Sequence, residues 1–359
     1  MDSTSFYHKP ETTEEFREFY KRLEKRNAAP LWETLAEIVP VQPRPRAVPT
    51  LWRYEEMRPF IMESGKLITA KEAERRVLIL ANPGIKDSNQ ITDTLYAGLQ
   101  LILPGEVAPT HRHTASALRF IIEGNGAYTA VEGERTTMHP GDFILTPSWT
   151  FHDHGNLSDT PTVWMDGLDI PLVNYFNTSF AEKHPEEVQP VSRKEGDASL
   201  RYGGNLMPVD YKPARLSSPI FNYPYARTRE ILDDLHRNGP LDPAHGVKLQ
   251  YINPATGGSP MPSIGAFVQL LPAGFRTKPY RSTDATVFAV VEGGGRSHVG
   301  NATFEWTSRD IFVVPSWYPV THEAQEETVL FSYSDRPVQK ALGIWREQTG
   351  DVVAGFSPR

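Results

Sequence analysis

The sequence contains no cysteine, and this absence excludes several kinds of site at once. Structural disulfides, thiolate metal ligands and thiol nucleophiles are all ruled out. Any metal held by protein side chains must therefore be bound by imidazole or carboxylate groups, that is by His, Asp or Glu.

Excess positive charge and long apolar runs are lacking as well. The 359 residues carry 37 basic and 44 acidic side chains, a formal net charge of −7. A general phosphate-binding surface is therefore not expected, and no nucleic-acid partner is predicted. No apolar run has the length that crosses a bilayer. The first residues, MDSTSFYHKPETTEEF, lack the basic and apolar regions of a signal peptide. We expect a cytoplasmic protein without a membrane partner.

Short apolar runs separated by Gly, Pro and Asp dominate the chain from about residue 77. The 31 prolines and the aromatic content of 11% are typical of a strand-and-turn protein with many short connections. Two segments differ. Thr12-x-x-Glu15 is a candidate capping box, and apolar residues follow it at helical spacing. ARTREILDDLHRNGP predicts a second, short helix that stops before Pro240.

The strand-rich part of the chain occurs twice. LPGEVAPTHRHTASALRFIIEGNG resembles LPAGFRTKPYRSTDATVFAVVEGGG, and GDFILTPSWTFHDH resembles RDIFVVPSWYPVTH. Glu123 corresponds to Glu292 at an offset of 169 residues, and Pro147 corresponds to Pro315 at an offset of 168. The pattern indicates a duplicated all-β domain, with enough short strands in each half for one small barrel or jelly roll.

Three histidines in the first repeat suggest a metal site. His111 and His113 lie one residue apart in a predicted strand, so their side chains point the same way. His152 follows 39 residues after His113, at the end of the predicted strand GDFILTPSWTFH. In a barrel these strands face each other, which would bring three imidazoles together. The two closely spaced histidines alone would instead favour an exposed pair on a strand.

The spacing around these histidines resembles the two cupin motifs. The first motif matches at Gly105, His111, His113 and Gly124, and the second at Gly141, Pro147, His152 and Asn156, with Trp149 replacing a usual glycine. The common cupin pattern has Glu where this chain has Ala117. The resemblance therefore implies a neutral three-histidine site. Imidazole ligands suit Fe, Mn, Ni, Cu or Zn, and a six-coordinate ion here would keep three open positions.

A closer resemblance is carried by PGEVAPTHRHTASALRFIIEGNGAYTAVEGE, PGDFILTPSWTFHDHGN and WMDGLDIPLV. These segments resemble the gentisate 1,2-dioxygenase family, which includes salicylate and 1-hydroxy-2-naphthoate dioxygenases, and the likeness runs through nearly the whole chain. It implies an all-β bicupin fold, two tandem double-stranded β-helix barrels with a helical N-terminal extension. It also implies one Fe(II) per chain, a homotetramer, and ring cleavage of an aromatic hydroxycarboxylate by O2, which converts gentisate to maleylpyruvate.

The missing carboxylate agrees with that chemistry. An ortho-hydroxycarboxylate occupies two of the three open positions, and dioxygen needs the third. A glutamate at Ala117 would take one of them and add negative charge beside an anionic substrate.

Further site residues are predicted around the histidines. Arg119 lies six residues after His113, an even step, so a continuing strand directs it inward, where its guanidinium would bind the substrate carboxylate. His154 shares a face with His152 and is a candidate for proton transfer or for a supporting role beside the metal ligands. Asp166 would orient His154 or accept a hydrogen bond from a ring hydroxyl.

Three more residues complete the predicted substrate pocket. Tyr96 and Gln100 match positions that line the pocket in the resembled family. Arg75 is predicted to make a second contact to the carboxylate, although its neighbour Arg76 in EAERRVL is an equal candidate by sequence.

The second repeat is predicted to lack a metal. Tyr280, Ser282 and Val320 stand where the first repeat has its three histidines. The expected organisation is an N-terminal arm, a metal-binding cupin, a connecting segment, a metal-free cupin and a tail, at residues 1–75, 76–173, 174–246, 247–340 and 341–359.

Other functions remain to be distinguished. Salicylate and 1-hydroxy-2-naphthoate cleavage would use the same site. A metal-binding bicupin for storage or ligand binding is the non-enzyme alternative. An Mn enzyme like oxalate decarboxylase is disfavoured by Ala117 and by the altered second repeat.

Overall fold

The computed structural model describes residue 7 and residues 10–86 and 88–350. Its contacts divide the chain into two units, Met1–Pro45 and Arg46–Arg359. Most of the predicted arm is described, whereas residues 351–359 of the predicted tail lie outside the described residues. None of the helices in the described ranges is long and apolar enough to span a membrane.

The smaller unit contains two helices, α1 (Glu14–Glu24) and α2 (Leu31–Ile38). The N-cap of α1 is Thr13, whose hydroxyl accepts a hydrogen bond from the backbone N–H of Phe16 at 3.4 Å, so the helix begins one residue later than the predicted capping box places it. The indole of Trp32 donates to Tyr20 Oη at 2.8 Å, which links the two helices.

The larger unit contains five helices and all the strands of the described residues. The helices are α3 (Tyr54–Leu67), α4 (Ile170–Tyr175), α5 (Asp197–Tyr202), α6 (Tyr225–Asn238) and α7 (Arg336–Ala341). The helix predicted from ARTREILDDLHRNGP is α6, which ends at Asn238 as expected from the following Gly-Pro.

The strands fall into two consecutive series. The first comprises β1 (Thr50–Trp52), β2 (Val77–Ile79), β3 (Tyr96–Ile102), β4 (Val107–His113), β5 (Ala117–Glu123), β6 (Ala127–Val131), β7 (Glu134–Thr137), β8 (Phe143–Thr146), β9 (His152–Asn156), β10 (Thr162–Leu168), β11 (Ala181–Lys183) and β12 (Asn222–Tyr223). The second comprises β13 (Val247–Gln250), β14 (Gly265–Leu271), β15 (Tyr280–Ser282), β16 (Thr286–Glu292), β17 (Gly294–Val299), β18 (Ala302–Thr307), β19 (Ile311–Val314), β20 (Val320–Ala324), β21 (Thr328–Ser334) and β22 (Glu347–Thr349).

The strands form two barrels with the same topology, each made of a six-stranded and a five-stranded antiparallel sheet. In the first barrel the strand orders are β12-β8-β5-β10-β3-β2 and β11-β4-β9-β6-β7. In the second they are β1-β19-β16-β21-β14-β13 and β22-β15-β20-β17-β18. Each strand of the first barrel therefore has a counterpart at the same place in the second. This arrangement confirms the predicted all-β bicupin fold with a helical N-terminal region.

Three strands come from parts of the chain that the sequence assigns to an arm or a connection. Strand β1, from the predicted arm, pairs with β19 of the second barrel. Strands β11 and β12, from the predicted connecting segment, pair with β4 and β8 of the first. Strand β22, from the predicted tail, pairs with β15 of the second. Short strands outside the two predicted cupins thus complete both barrels.

The two six-stranded sheets share one hydrophobic core, and this core places the site. On β5, Leu118 and Phe120 contribute to the shared core. The ring of Phe120 stacks on Phe331 with 4.4 Å between ring centroids. Fully burying one such side chain stabilises the fold by about 1.5–3 kcal/mol. Because side chains alternate along a strand, Ala117 and Arg119 point to the interior of the first barrel.

Candidate metal centre

The first barrel brings His111, His113 and His152 together. Strand β4 carries His111 and His113, and His152 lies directly opposite His111 in the β4–β9 register. The ring centroid of His152 is 4.6 Å from that of His111 and 4.9 Å from that of His113. One nitrogen from each ring lies within 4.8 Å of those of the other two. The three side chains therefore converge on one point, as the spacing predicts.

The local chain path differs from the predicted one at His152. Strand β8 ends at Thr146, and a turn leads to β9, which begins at His152. Trp149 adopts a positive φ of 59° in this turn, and its N–H donates to His113 O at 2.8 Å. His152 thus opens a new strand of the other sheet, where the sequence placed it at the end of β8.

Hydrogen bonds orient two of the three imidazoles for metal binding. His113 Nδ1 lies 2.8 Å from Ala115 O, and His152 Nδ1 lies 3.0 Å from Thr150 O. A carbonyl oxygen only accepts, so both Nδ1 atoms carry the proton. Each Nε2 then keeps a free lone pair, which is the arrangement that metal-binding histidines require.

The environment keeps all three rings neutral. Burial, reinforced by the charge of Arg75, lowers the pKa of His111 to about 2. Burial lowers the pKa of His113 to about 4 and that of His152 well below its ordinary value. Neutral imidazole is the form that binds metals, so the site is ready to coordinate at neutral pH.

The described residues supply no carboxylate to this three-histidine cluster. Ala117, at the position of the usual cupin glutamate, is buried on the interior face of β5, paired with Thr146 and Leu168. The side chain at this position is a methyl group, which cannot bind a metal.

Arg119 and Asp166 form a buried pair beside the histidines. They are opposite each other in the β5–β10 register, with Arg119 Nε 3.7 Å from Asp166 Oδ1. Arg119 Nη1 also donates to Thr146 Oγ1 at 2.5 Å. Burial lowers the pKa of Arg119 to about 10, so it remains a cation at neutral pH. Burial raises the pKa of Asp166 to about 6.

The inward direction of Arg119 has a different origin from the predicted one. The chain is not a continuing strand from His113 to Arg119, because β4 ends at His113 and β5 begins at Ala117 in the other sheet. Arg119 points inward because it alternates with Leu118 and Phe120, which are buried in the shared core.

His154 is oriented by Thr129, a residue that the sequence gave no reason to select. The two residues are paired in the β6–β9 register, with Thr129 Oγ1 2.9 Å from His154 Nδ1. Thr129 Oγ1 also lies 3.3 Å from Met138 Sδ. His154 Nε2 is buried and has no hydrogen-bond partner among the described residues. Asp166 instead accepts from the indole N–H of Trp164 at 2.9 Å.

Arg75 and Arg76 make different contacts in the structure. Arg75 Nη1 donates to Glu74 O and Pro109 O at 2.8 and 3.0 Å, and its charge acts on His111. Arg76 is bound by Glu106 in an ion pair away from the histidines. Arg75 is therefore the arginine whose charge acts on the three histidines.

Tyr96 and Gln100 lie on the interior face of β3. In the β3–β10 register Gln100 is opposite Trp164, and Gly98, between Tyr96 and Gln100, is opposite Asp166. A Cβ atom on Gly98 would lie 2.4 Å from Val77 Cγ1 and 3.0 Å from Tyr96 Oη. The close approach of the Val77 side chain and the Tyr96 hydroxyl accounts for this glycine.

Comparison with known proteins agrees with this geometry. A cupin domain model matches residues 98–170. Gentisate 1,2 dioxygenase 1 from Aquipseudomonas alcaligenes is 59% identical over 343 residues, which cover 96% of this chain and 99% of that protein. The chain belongs to the gentisate 1,2-dioxygenase family.

Further relatives support this membership. The 5-aminosalicylate 1,2-dioxygenase from Comamonas sp is 35% identical, with coverage of 92% of this chain and 89% of that protein. The crystal structure of salicylate 1,2-dioxygenase from Pseudoaminobacter salicylatoxidans with gentisate matches with a TM-score of 0.89 and 34% identity, covering 95% of this chain and 96% of that one. In a gentisate 1,2-dioxygenase family fold, the three-histidine cluster indicates a bound metal.

Proposed function

We propose that the protein is an Fe(II)-dependent gentisate 1,2-dioxygenase, which converts gentisate and O2 to maleylpyruvate. The observation that carries the proposal is the cluster of three neutral histidines without a carboxylate, in a chain 59% identical to a gentisate dioxygenase. Arg119 and Arg75 lie close enough for their charges to act on these histidines. One iron per chain is proposed.

The donor set fits iron. His113 and His152 present Nε2 lone pairs, because their Nδ1–H groups are held by backbone carbonyls. Neutral imidazoles suit Fe(II), and the absence of thiolates disfavours softer choices. When bound, Fe(II) supplies a redox-active Lewis acid with open coordination positions, and the aromatic substrate provides all the electrons that dioxygen takes up.

Two arginines are suited to binding the substrate carboxylate. Arg119 and Arg75 both retain their charge, since burial lowers their pKa values only to about 10 and about 9. Arg119 Nε and Arg75 Nη2 are buried donors without a hydrogen-bond partner among the described residues. An unpaired buried donor is costly, and a charged hydrogen bond contributes roughly 1.5–3 kcal/mol. A carboxylate held between them would satisfy both donors and fix the orientation of the ring.

His154 is suited to handling the protons of the ring hydroxyls, and Asp166 is suited to placing Arg119. Thr129 holds His154 through Nδ1, so the buried Nε2 is the ring atom left to exchange a proton or a hydrogen bond with the substrate. Burial, followed by the charges of Arg119 and Arg75, holds the pKa of His154 well below its ordinary value, so the ring begins as a neutral acceptor. Asp166 Oδ1 is engaged by Trp164 and faces Arg119. We assign proton transfer to His154 and the placement of Arg119 to Asp166.

The remaining pocket residues shape the site for a polar ring. Burial, together with the charge of Asp166, raises the pKa of Tyr96, so its hydroxyl stays protonated and donates to substrate. Gln100 is buried on the same face and adds an amide. A hydroxyl donor at this place favours gentisate, which carries a second ring hydroxyl, over salicylate.

Oxygen uptake by the iron-loaded protein tests this function. The protein is loaded with Fe(II) under anaerobic conditions and then given O2 with gentisate, salicylate or 1-hydroxy-2-naphthoate, with ultraviolet spectra recorded in parallel. Stoichiometric oxygen uptake with gentisate and the absorbance of a ring-opened product are expected. His111→Ala is the matched control without activity. Faster turnover of salicylate or 1-hydroxy-2-naphthoate would show that gentisate is not the preferred substrate. No oxygen uptake with any of the three compounds would refute the proposed dioxygenase activity.

We also propose that the enzyme is a cytoplasmic homotetramer, as the family resemblance implies, with the domain boundaries given by the sequence. Light scattering on the purified protein measures the mass of the assembly. A mass that does not correspond to four chains would contradict the proposed tetramer.

A further inference from the structure

The second barrel contains a polar cavity at the place that the metal centre occupies in the first. Tyr280 is opposite Val320 in the β15–β20 register, as His111 is opposite His152 in β4–β9. A cavity of about 20 Å³ lies against these residues. Its polar lining includes His245, Lys248, Gln269, Asp284, His322 and Arg336.

Positive charge predominates in this cavity. Lys248 Nζ and Arg336 Cζ lie 5.4 and 5.0 Å from the centre of the Phe267 ring. The one lining carboxylate, Asp284, is already engaged, because it accepts from Arg336 Nε at 3.2 Å and from the indole of Trp345 at 2.8 Å. The charges of Asp284, Glu347 and Asp242 favour the protonated form of Lys248, but none of these carboxylates forms a salt bridge with Lys248 Nζ within the described part of the chain. One cation thus lines the cavity without a carboxylate in direct contact.

An unsatisfied donor lies directly beside this lysine. Gln269 is opposite Lys248 in the β13–β14 register, so their side chains are neighbours on one face of the sheet. Gln269 is 1% exposed, and its Nε2 has no hydrogen-bond partner among the described residues. A buried amide donor in this state costs free energy unless a bound group accepts from it.

The two histidines of the cavity are uncharged, so they neither add to nor balance the positive charge of Lys248. His322 Nδ1 pairs with Ser297 Oγ at 2.8 Å, as His154 pairs with Thr129 in the first barrel. Burial lowers the pKa of His245 to about 2 and that of His322 to about 3, so both are neutral. Burial and then the charge of Arg336 lower the pKa of Lys248 to about 8, which leaves it mostly protonated at neutral pH.

We propose that this cavity binds one small monovalent anion of the size of chloride, held between Lys248 and Gln269. The anion would neutralise the lysine and accept from the amide, which satisfies both groups together. About 10–15 Å³ is enough for one water molecule, so a cavity of about 20 Å³ admits a halide but no aromatic ring. The second barrel thus keeps a ligand site, with the substrate and metal positions replaced by an anion position.

Halide titration of the full iron-loaded protein tests the proposal. Thermal unfolding is measured while sodium chloride replaces sodium gluconate, whose anion is too large for the cavity, at constant ionic strength. A ligand that binds the folded state raises the midpoint in proportion to the logarithm of its concentration above Kd. The midpoint is expected to rise by about 2 °C or more once chloride exceeds its Kd roughly tenfold. Lys248→Met should lose this rise, whereas Lys278→Met, at an exposed lysine of the same barrel, should keep it.

Anomalous diffraction gives an independent measurement on crystals of the parent protein grown in sodium bromide. This measurement tests the proposal even if Lys248→Met fails to fold. A bromide peak within hydrogen-bonding distance of Lys248 Nζ and Gln269 Nε2 is expected. Absence of bromide from this cavity would overturn the proposal. An equal chloride effect in parent and Lys248→Met would overturn it as well. Neither result depends on gentisate turnover, so the outcome is separate from that of the proposed enzyme activity.

Discussion

Arg119 Nε lies 3.7 Å from Asp166 Oδ1, and both side chains are buried in the first barrel. The distance is that of an ion pair without a hydrogen bond, and Arg119 Nε has no other partner among the described residues. The carboxylate therefore balances the charge of the guanidinium and leaves one of its donors free. That free donor is what a substrate carboxylate would need.

Replacing Arg119 with lysine is expected to weaken substrate binding and to leave iron in place. Lysine keeps the charge but loses the planar fork that binds a carboxylate with two donors. Losing one charged hydrogen bond costs roughly 1.5–3 kcal/mol, about a tenfold to hundredfold loss in kcat/KM for gentisate. Steady-state kinetics and iron analysis measure the two effects. Arg296→Lys, on the second barrel, is the control, and parent-like kinetics in Arg119→Lys would assign Arg119 a structural role.

Alanine at His111, His113 or His152 is expected to remove both iron and activity. Each substitution leaves only two imidazoles, which hold the ion too weakly. The parent should contain one tightly bound iron per chain, because Tyr280 and Val320 offer no imidazole at the equivalent register. Elemental analysis of the reconstituted proteins measures this content, with His298→Ala as the control. Two tightly bound ions per parent chain would contradict the single site.

Glutamate at Ala117 is expected to keep iron and lose turnover. Ala117 lies on the interior face of β5 in the same barrel as the histidines, so a carboxylate there would become a fourth protein ligand. It would take a coordination position that the substrate or dioxygen needs, and its charge would repel an anionic substrate in a poorly screened pocket. Iron analysis and gentisate kinetics together measure the outcome. Ala117→Gln, which has the same size without the charge, separates repulsion from steric effects. An iron-replete Ala117→Glu protein with the parent rate would refute the role of the open position.

Asn in place of Asp335 is expected to reduce the pH dependence of stability. Asp335 Oδ1 accepts from Ala285 N–H and Oδ2 from Thr94 Oγ1, both at 3.0 Å. Burial raises its pKa from 3.8 to about 6. The folded state then binds more protons than the unfolded state between these values, so the stabilisation present below pH 4 is lost as pH rises through about 6.

At neutral pH the buried charge lowers stability by up to about 3 kcal/mol, from about two pKa units at 1.36 kcal/mol each. The Gln339 amide also donates to this carboxyl at 3.0 Å, so an asparagine NH2 opposes an N–H donor at every pH. Relative to the parent, the unfolding midpoint of Asp335→Asn should therefore rise between pH 4.5 and pH 7.5. Calorimetric midpoints across this range measure the difference. Asp159→Asn, at an exposed aspartate, should follow the parent. An unchanged slope with pH in Asp335→Asn would show that this carboxyl does not titrate in the window.

The repeated barrels and the three histidines are readable from sequence because they depend on local spacing. Alternation along a strand places His111 beside His113, and the offset between repeats identifies Tyr280 and Ser282 as their counterparts. The same spacing gave the resemblance to the family and showed that Ala117 stands where the common cupin pattern has glutamate. None of these inferences requires knowing which strand is hydrogen-bonded to which.

Other features depend on contacts between segments far apart in the chain. Thr129 meets His154 through the β6–β9 register, and Arg119 meets Thr146 through β5–β8. The choice of Arg75 over Arg76 follows from the ion pair that Glu106 makes with Arg76. The break between β4 and β5, which places His113 and Arg119 in different sheets, leaves no periodic signal, because one continuous strand would give the same even spacing of six residues. Alternation is a property of one strand, whereas register and sheet membership are set by the packing of all the strands around the core, and only the folded chain defines that packing.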